Sequence, residues 1–210
     1  MLDGLQEFLE ETGRSVLRTK TPSFNPIGNL LTSHYFAKAR EMFPDNERCA
    51  MFMGALFAAD MIEHDREVRE FLKEDGDRSW VLQSRTWIST WSYQSECMTV
   101  QHMLDDAVAP LLLPPDALIF MYADIDVCLE RIGGREKAVV DLYEHREGLT
   151  RVFQQMKPLI DELEAGDFPP STGWADVKVL QVDTTKIDAG QTFQQIWEFL
   201  NRERLIDVSG

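Results

Sequence analysis

The stretch Trp80–Gln94 reads WVLQSRTWISTWSYQ and decides the fold of this chain. Its first three residues are apolar and prone to β-structure, which predicts a short buried strand. Arg85 follows that strand, and a polar, aromatic-rich segment then predicts the start of a helix. An arginine at the carboxyl end of a strand lies where α/β proteins bind ligands, and its planar guanidinium can grip a phosphate through two donors. The alternative is a structural arginine held in a salt bridge.

Strands and helices alternate on both sides of this stretch. Apolar runs predict strands at 15–18, 80–82, 117–123 and 177–183. Helical spacing predicts helices near 2–9, 47–72, 126–132, 142–163 and 191–200, and two prolines and a glycine predict a loop at 21–28. The continuous apolar run at 117–123 predicts a strand covered on both faces. The pattern predicts a single α/β domain over 1–210, a three-layer sandwich with a parallel sheet and right-handed crossovers.

The bulk composition narrows the class of function. The chain has 210 residues with 44% hydrophobic content, enough for one sizeable core. Its 21 Lys and Arg against 36 Asp and Glu give a net charge of −15, which disfavours a non-specific nucleic-acid binder. Three cysteines without a C-x-x-C pair argue against a disulfide framework and a cysteine-rich zinc site. Because no long apolar run or signal-like start is present, we expect a soluble, cytoplasmic protein without a membrane partner.

The stretch at 80–94 resembles the acceptor-nucleotide motif of thymidylate kinases. That motif is an apolar strand, Asp-Arg, three residues, Ser-Ser or Ser-Thr, two residues and Tyr-Gln. The residues in register with it are Arg85, Ser89, Thr90, Tyr93 and Gln94. The resemblance implies that Arg85 holds the acceptor phosphate and that the other four line the base and the sugar. Ser84 stands where the family has its Asp, and whether a serine can replace that carboxylate near magnesium stays open.

A second match lies in the helix that contains Leu56–His64, which is similar to the family's L-F-A-A-D-R-A-Q-H. The resemblance implies that Phe57 stacks on the thymine ring, whereas periodicity alone would place Phe57 in the core. Met61 stands where the family has a base-binding Arg, and a thioether offers no strong donor. Another pyrimidine therefore remains an alternative to thymine. His64 is expected to be a structural histidine on the helix surface.

The segment after the first predicted strand, Lys20–Gly28, is similar to the family's R-E-P-G-G-T-P-I-G loop. Lys20 keeps the positive charge, while Thr21, Ser23 and Phe24 replace the acid and both glycines. The resemblance implies that Lys20 helps to neutralise the transferring phosphoryl group. A plain solvent-exposed loop is the alternative interpretation.

A third match, Asp116–Ile132, resembles the family's P-D-L-T-x-x-L-D-V-D-x-x-x-x-L-E-R-I and leads into a predicted lid at about 131–141. The resemblance implies that Arg131 and Arg135 close over the donor phosphates, with Gly133-Gly134 as the hinge. From the residues alone, the segment is a charged loop. We predict no protein metal centre, because paired acids in so acidic a chain are mostly solvated surface. The acids concerned are Asp105, Asp106, Asp124 and Asp126.

The sequence contains no G-x-x-x-x-G-K-[ST], the loop whose backbone amides cradle the donor phosphates in P-loop kinases. Aligned with the family, Met1 stands directly after the place of Gly-Lys-Thr. The expected fold is therefore P-loop-kinase-like, with the first strand and the P-loop absent as numbered. Either the true start lies upstream and the reading frame is truncated, or the protein has lost its donor site.

The resemblance covers residue 1 to about 200 and implies transfer of the γ-phosphoryl group of ATP, with Mg2+, to dTMP or a related deoxynucleoside monophosphate. It also implies a homodimer, for which Met51, Met53 and Leu56 offer an apolar face, although these residues also fit an internal core. A non-catalytic nucleotide-binding protein without a donor site is one alternative. A kinase of unphosphorylated deoxynucleosides is another, and it would not need Arg85 to bind its acceptor.

Overall fold

Two pairs of parallel strands organise the chain. The computed structural model describes residues 2–94, 111–134, 144–168 and 172–206. These residues divide into an N-terminal unit, Leu2–Leu113, and a C-terminal unit, Pro114–Gly210. The single domain over 1–210 stays a prediction.

The N-terminal unit contains one strand pair. Its strands are β1 (Ser15–Lys20) and β2 (Ser79–Ser84). Its helices are α1 (Leu2–Glu11), α2 (Pro26–Leu30), α3 (Phe36–Met42), α4 (Asn46–Asp75) and α5 (Trp87–Gln94), with a π-helical turn at Leu31–Tyr35 and a 3-10 turn at Gly76–Arg78. The strands are parallel, and their register pairs Ser15 with Ser79 and Lys20 with Ser84. Helix α1 packs on β1, α4 packs on both strands, and α5 packs on α4.

Local sequence explains the bounds of the long helix α4. The Asp45 carboxylate accepts hydrogen bonds from the backbone amides of Glu47 and Arg48 and so caps the first turn. The helix ends at Gly76, whose φ of +56° lies in a region that glycine adopts without a Cβ clash. Its buried positions recur at helical spacing and include polar residues: Met53, Asp60, Met61, His64 and Val68.

The C-terminal unit contains the second strand pair. Its elements are β3 (Ala117–Tyr122), α6 (Ile125–Gly133), α7 (Arg146–Ala165), a 3-10 turn (Trp174–Asp176), β4 (Lys178–Asp183) and α8 (Ala189–Arg202). The strands are parallel, and their register pairs Ala117 with Lys178 and Tyr122 with Asp183. Helices α7 and α8 pack on β4, and α6 packs on α7. A capping box between Asp188 and Gln191 starts α8.

The predicted α/β class with parallel strands is confirmed. Every predicted helix and strand is present, with ends shifted by a few residues. The strands form the pairs β1–β2 and β3–β4, and no strand of the described residues joins both pairs. Among those residues, no helix is both long enough and apolar enough to cross a membrane.

Two local expectations are wrong. The run at 117–123 was expected to be covered on both faces, yet Met121 in β3 is 48% exposed. The described helices pack mainly on the neighbouring β4, so apolar content alone overstated the burial of β3. The predicted loop at 21–28 is also shorter, because α2 begins at Pro26, where a proline suits the first helical position.

Candidate active site

The carboxyl ends of β1 and β2 bring two cationic residues together. Lys20 ends β1 and lies opposite Ser84, which ends β2 and precedes Arg85. The backbone N–H of Thr21 donates to the Ser84 carbonyl at 3.0 Å. Gln83 Nε2 donates to the Arg85 carbonyl at 3.0 Å and to Thr21 Oγ1 at 3.4 Å. These contacts tie the two strand ends together, so Lys20 and Arg85 leave neighbouring strands at the same edge.

Arg85 is held in a costly backbone conformation. Its φ is +72°, a region that residues with a Cβ rarely adopt and that clusters at functional sites. The side chain is exposed, and its Cζ lies 5.8 Å from the centre of the Tyr93 ring. Within the described residues, no carboxylate pairs with Arg85. The salt bridge that the structural alternative required is therefore not found in that part of the chain.

Helix α5 presents part of the predicted acceptor motif beside Arg85. Thr86 Oγ1 accepts from the Ile88 N–H at 3.2 Å and so caps the helix start. Ser89 and Tyr93, four positions apart, are half-buried on one helix face, and Tyr93 contacts Arg85. Thr90 is buried at 5% exposure. Gln94 ends the helix.

Lys20 forms a second cation–aromatic pair at the same edge. Its Nζ lies 4.7 Å from the centre of the Phe24 ring. Phe24 is 67% exposed, although apolar rings of this size are usually buried. The edge thus combines two cations and two aromatic rings in a chain of net charge −15. Such a set suits a ligand that is both anionic and aromatic.

The segment behind Lys20 is attached to α4 and is not a plain solvent loop. Three α4 residues at helical spacing form this attachment, the α4 clamp: Asp60, Glu63 and Glu67. Asp60 accepts from the Ser23 N–H at 2.9 Å and from the Ser23 hydroxyl at 2.5 Å. Glu63 accepts from the Ile27 N–H at 3.2 Å, and Glu67 accepts from Asn25 Nδ2 at 3.2 Å. Thr21 and Ser23 are buried as a result.

His64 is buried, so its predicted position on the helix surface is wrong. The residue is 2% exposed, its Nε2 lies 3.0 Å from Thr19 Oγ1, and its Nδ1 lies 3.2 Å from Glu67 Oε2. The reason is tertiary: α4 packs on β1, and Thr19 of that strand supplies a polar partner inside the interface. Both ring nitrogens have partners, as a buried imidazole requires.

Phe57 of α4 packs beside the π-helical turn and α3. Its ring is half-buried, 5.8 Å from the ring of Phe36. It packs against a cluster of Leu31, Ala39 and Met53. Met61, the residue at the family's arginine position, is 3% exposed and belongs to the core. The stacking of Phe57 on a base therefore stays a prediction.

Polar contacts join the end of β4 to α6 in the C-terminal unit. Arg131 donates from Nη1 to Thr184 Oγ1 at 3.0 Å and from Nη2 to the Thr184 carbonyl at 2.7 Å. The hydroxyl and backbone amide of Thr185 donate to Asp183 and hold the pKa of that carboxyl below its usual value. Asp126 pairs with Arg146. Arg135 and the remainder of the predicted lid, like Asp105 and Asp106, lie outside the described residues.

Sequence reasoning missed two features of the strand-end site. The α4 clamp had a detectable signal, because its acidic residues recur at positions three and seven after Asp60, the spacing of one helix face. Gln83 had no comparable signal. Its role depends on two acceptors, the Arg85 carbonyl and Thr21 Oγ1, that only the pairing of β1 with β2 brings within reach.

Comparisons with known proteins identify the family of the chain. The family model described as thymidylate kinase matches residues 1–167. A probable thymidylate kinase of Methanocaldococcus jannaschii is 24% identical over 182 residues, which cover 87% of this chain and 80% of that protein. The solved thymidylate kinase of Candida albicans is similar with a TM-score of 0.61 and 18% identity, over 96% of this chain and 86% of that chain. That last likeness shows the fold, which is of the P-loop kinase type. The chain therefore belongs to the thymidylate kinase family, whose members are phosphotransferases that act on nucleoside monophosphates.

Proposed function

We propose that this protein transfers the γ-phosphoryl group of ATP to dTMP and releases dTDP. The observation that carries the proposal is the pair of cations at one sheet edge, Lys20 and Arg85, neither of which pairs with a carboxylate in the described residues. Phosphoryl transfer needs positioning and charge neutralisation more than covalent chemistry from the protein. Two cations without a carboxylate partner in that part of the chain, each beside an aromatic ring, would meet both requirements for a nucleoside monophosphate.

The acceptor is proposed to bind across the edge of β1 and β2. Arg85 would donate two charge-assisted hydrogen bonds to the acceptor phosphate. Tyr93 and Ser89 would contact the base and the sugar from α5, with Thr90 and Gln94 completing that set, and Phe57 would stack on the base. Lys20 would neutralise the charge that spreads over the transferring phosphoryl group.

Two arginines of the predicted lid are the proposed donor-side residues. Arg135 would act on the donor phosphates, and Arg131 would add charge from α6, held by Thr184 at the end of β4. No three His, Cys, Asp or Glu side chains of the described residues lie close enough together to hold a metal ion. Magnesium bound with ATP would neutralise charge on the donor phosphates and would keep several of its waters.

We further propose a single-domain, cytoplasmic homodimer. Free thiols at Cys49 and Cys128 fit a reducing compartment. Of the three apolar residues considered for the dimer contact, Met53 is buried and Leu56 packs against its cluster, which favours a core role for both. Met51 is 55% exposed, and Phe36 and Met42 are similarly exposed on α3, so these three residues support a dimer surface.

The proposed activity is tested directly with purified protein, ATP, magnesium and dTMP. We expect dTDP to form, as detected by anion-exchange chromatography. We also expect dTMP at 100 times its Kd to stabilise the fold by about 2.7 kcal/mol, which raises Tm by roughly 5–10 °C at this size. Stabilisation by dTMP without dTDP formation, and without any effect of ATP and magnesium, would contradict the kinase and favour a non-catalytic nucleotide-binding protein. The same assay with dUMP and dCMP measures the base preference that Met61 leaves open.

Replacing Phe57 by leucine is expected to weaken dTMP binding about 10-fold while changing the free energy of unfolding by less than about 1.5 kcal/mol. The lost stacking of an aromatic ring on a base accounts for the first effect, and the retained apolar volume accounts for the second. Isothermal titration calorimetry and urea denaturation give the two values. Phe52→Leu is the matched control, because Phe52 packs against the same cluster on the same helix. Equal dTMP affinities in the two variants would mean that Phe57 is only a core residue.

A further inference from the structure

We propose that Asp60 is a positioning residue for phosphoryl transfer, which holds the Ser23–Phe24 segment and thereby places the Lys20 ammonium group. The inference rests on the proposed function, because it takes Lys20 as the cation that neutralises the transferring group. Asp60 is 0% exposed and therefore acts without touching a bound ligand. Its influence on the reaction would pass through the loop that it holds.

The Asp60 carboxylate is a buried charge whose partners come from this loop. Both of its oxygens lie within hydrogen-bond distance of the Ser23 N–H, at 2.9 and 3.2 Å, and the Ser23 hydroxyl donates to Oδ1. No Lys or Arg of the described residues pairs with Asp60. A buried carboxylate is costly unless it is hydrogen-bonded. The loop conformation that presents the two Ser23 donors is therefore strongly preferred over any conformation that withdraws them.

Neighbouring contacts hold the rest of the loop in the same place. Glu63 accepts from the Ile27 N–H, and Glu67 accepts from the Asn25 amide. Gly28 is packed so tightly that a Cβ there would lie 2.3 Å from the Ser23 carbonyl oxygen. At the other end, the Thr21 N–H donates to the Ser84 carbonyl of β2. The segment is thus attached to α4 and to the sheet on both sides of Phe24.

Phe24 is the residue that links this clamp to the cation. It follows Ser23 directly, remains 67% exposed, and carries the Lys20 ammonium 4.7 Å from its ring centre. Lysine has a flexible four-carbon stem and loses several rotamers when its head is fixed. An aromatic ring held in place by the buried Ser23–Asp60 contact limits the positions of that head. Asp60 therefore pre-organises a charge that Lys20 supplies.

The test combines amide exchange with kinetics on Asp60→Asn, which keeps the side-chain volume. We expect hydrogen–deuterium exchange in peptides covering residues 20–28 to accelerate about 10-fold or more. We expect kcat with dTMP to fall about 10- to 100-fold, with a smaller change in KM, because a misplaced charge acts on the transition state. Glu70→Gln, an exposed acid on the same helix, is expected to change neither value. Ser23→Ala keeps the backbone N–H donor and is expected to show the same changes in smaller size, which provides a second test if Asp60→Asn folds poorly.

Epistasis with Lys20 separates positioning from a purely structural role. In a Lys20→Ala background, Asp60→Asn is expected to cause no further loss of kcat, because the group it positions is already absent. If the kcat losses of the two single variants multiply in the double variant, the proposal is overturned. It is also overturned if amide exchange at residues 20–28 is the same in Asp60→Asn as in the wild type. A wild-type protein that makes no dTDP would contradict the proposed function, and the exchange rates would then still decide whether Asp60 holds the loop.

Discussion

Replacing Arg85 by alanine is expected to lower kcat/KM for dTMP by about 100-fold. The exposed guanidinium has no carboxylate partner in the described residues and is free to bind a phosphate. Loss of charge-assisted hydrogen bonds worth about 3 kcal/mol corresponds to about two orders of magnitude in binding. Steady-state kinetics measure the ratio, and calorimetry measures the accompanying rise in the Kd of dTMP. The Kd of thymidine, which lacks the phosphate, is expected to stay unchanged.

Two further substitutions at the same position separate charge, shape and backbone strain. Arg85→Lys keeps the charge but loses the planar fork, so we expect a smaller loss, of about 10-fold. Arg85→Gly removes the side chain and adopts a φ of +72° without a Cβ clash. Equal losses in the Gly and Ala variants would show that the side chain, not the backbone, binds the acceptor. Unchanged dTMP affinity in Arg85→Ala would favour a kinase of unphosphorylated deoxynucleosides.

Replacing Gly28 by alanine is expected to destabilise the protein by about 2–3 kcal/mol, the range of severe overpacking. An added Cβ would lie 2.3 Å from the Ser23 carbonyl oxygen and 2.6 Å from Asp60 Oδ1. The Ser23 backbone cannot give way without leaving Asp60, so relief of the clash would cost a buried hydrogen bond. Urea denaturation measures the change in unfolding free energy, and thermal denaturation should show a Tm lowered by about 2–4 °C per kcal/mol.

Two control variants accompany Gly28→Ala. One changes a glycine elsewhere in the chain, and the other also removes a side chain that the added Cβ would meet. A Cβ at Gly133, the last residue of α6, meets nothing within 4 Å, so Gly133→Ala is expected to leave stability unchanged or slightly raised. Adding Asp60→Ala to Gly28→Ala is expected to restore nothing, because the Ser23 backbone atoms remain in the way. A Gly28→Ala variant with wild-type stability would show that the loop can leave α4, and it would contradict the clamp.

Local sequence was sufficient to predict the four strands and most of the helices, but not α2 and α3. Strand β2 and helix α5 lie where the stretch Trp80–Gln94 predicted them, with Arg85 between them. The bounds of α4 follow from Asp45 as a side-chain cap and from Gly76 as a positive-φ stop. These features depend on interactions within a few residues, which the order of residues alone specifies.

The candidate site could be predicted only in part. The resemblance to the family indicated Lys20 and Arg85, and strand pairing brings them to one edge. The resemblance did not indicate that the Lys20 ammonium lies over the Phe24 ring or that Asp60 accepts hydrogen bonds from Ser23. The Ser23–Asp60 contact joins residues 37 positions apart, and such pairs follow from how α4 crosses the sheet.

By itself, the sequence determined the α/β class, the four strands and most of the helices, and it indicated by resemblance which residues to test for nucleotide binding. Only the tertiary structure decided which of these residues contact one another, and it gave several residues a structural role that the sequence had not indicated. His64 became a buried partner of Thr19, Met61 became a core residue, and the loop at 21–28 became an attached segment. The physical reason is that periodicity reports which face of an element can be buried. The partners of a buried polar group are chosen by the packing of elements distant in sequence, and each such group must find a hydrogen bond there.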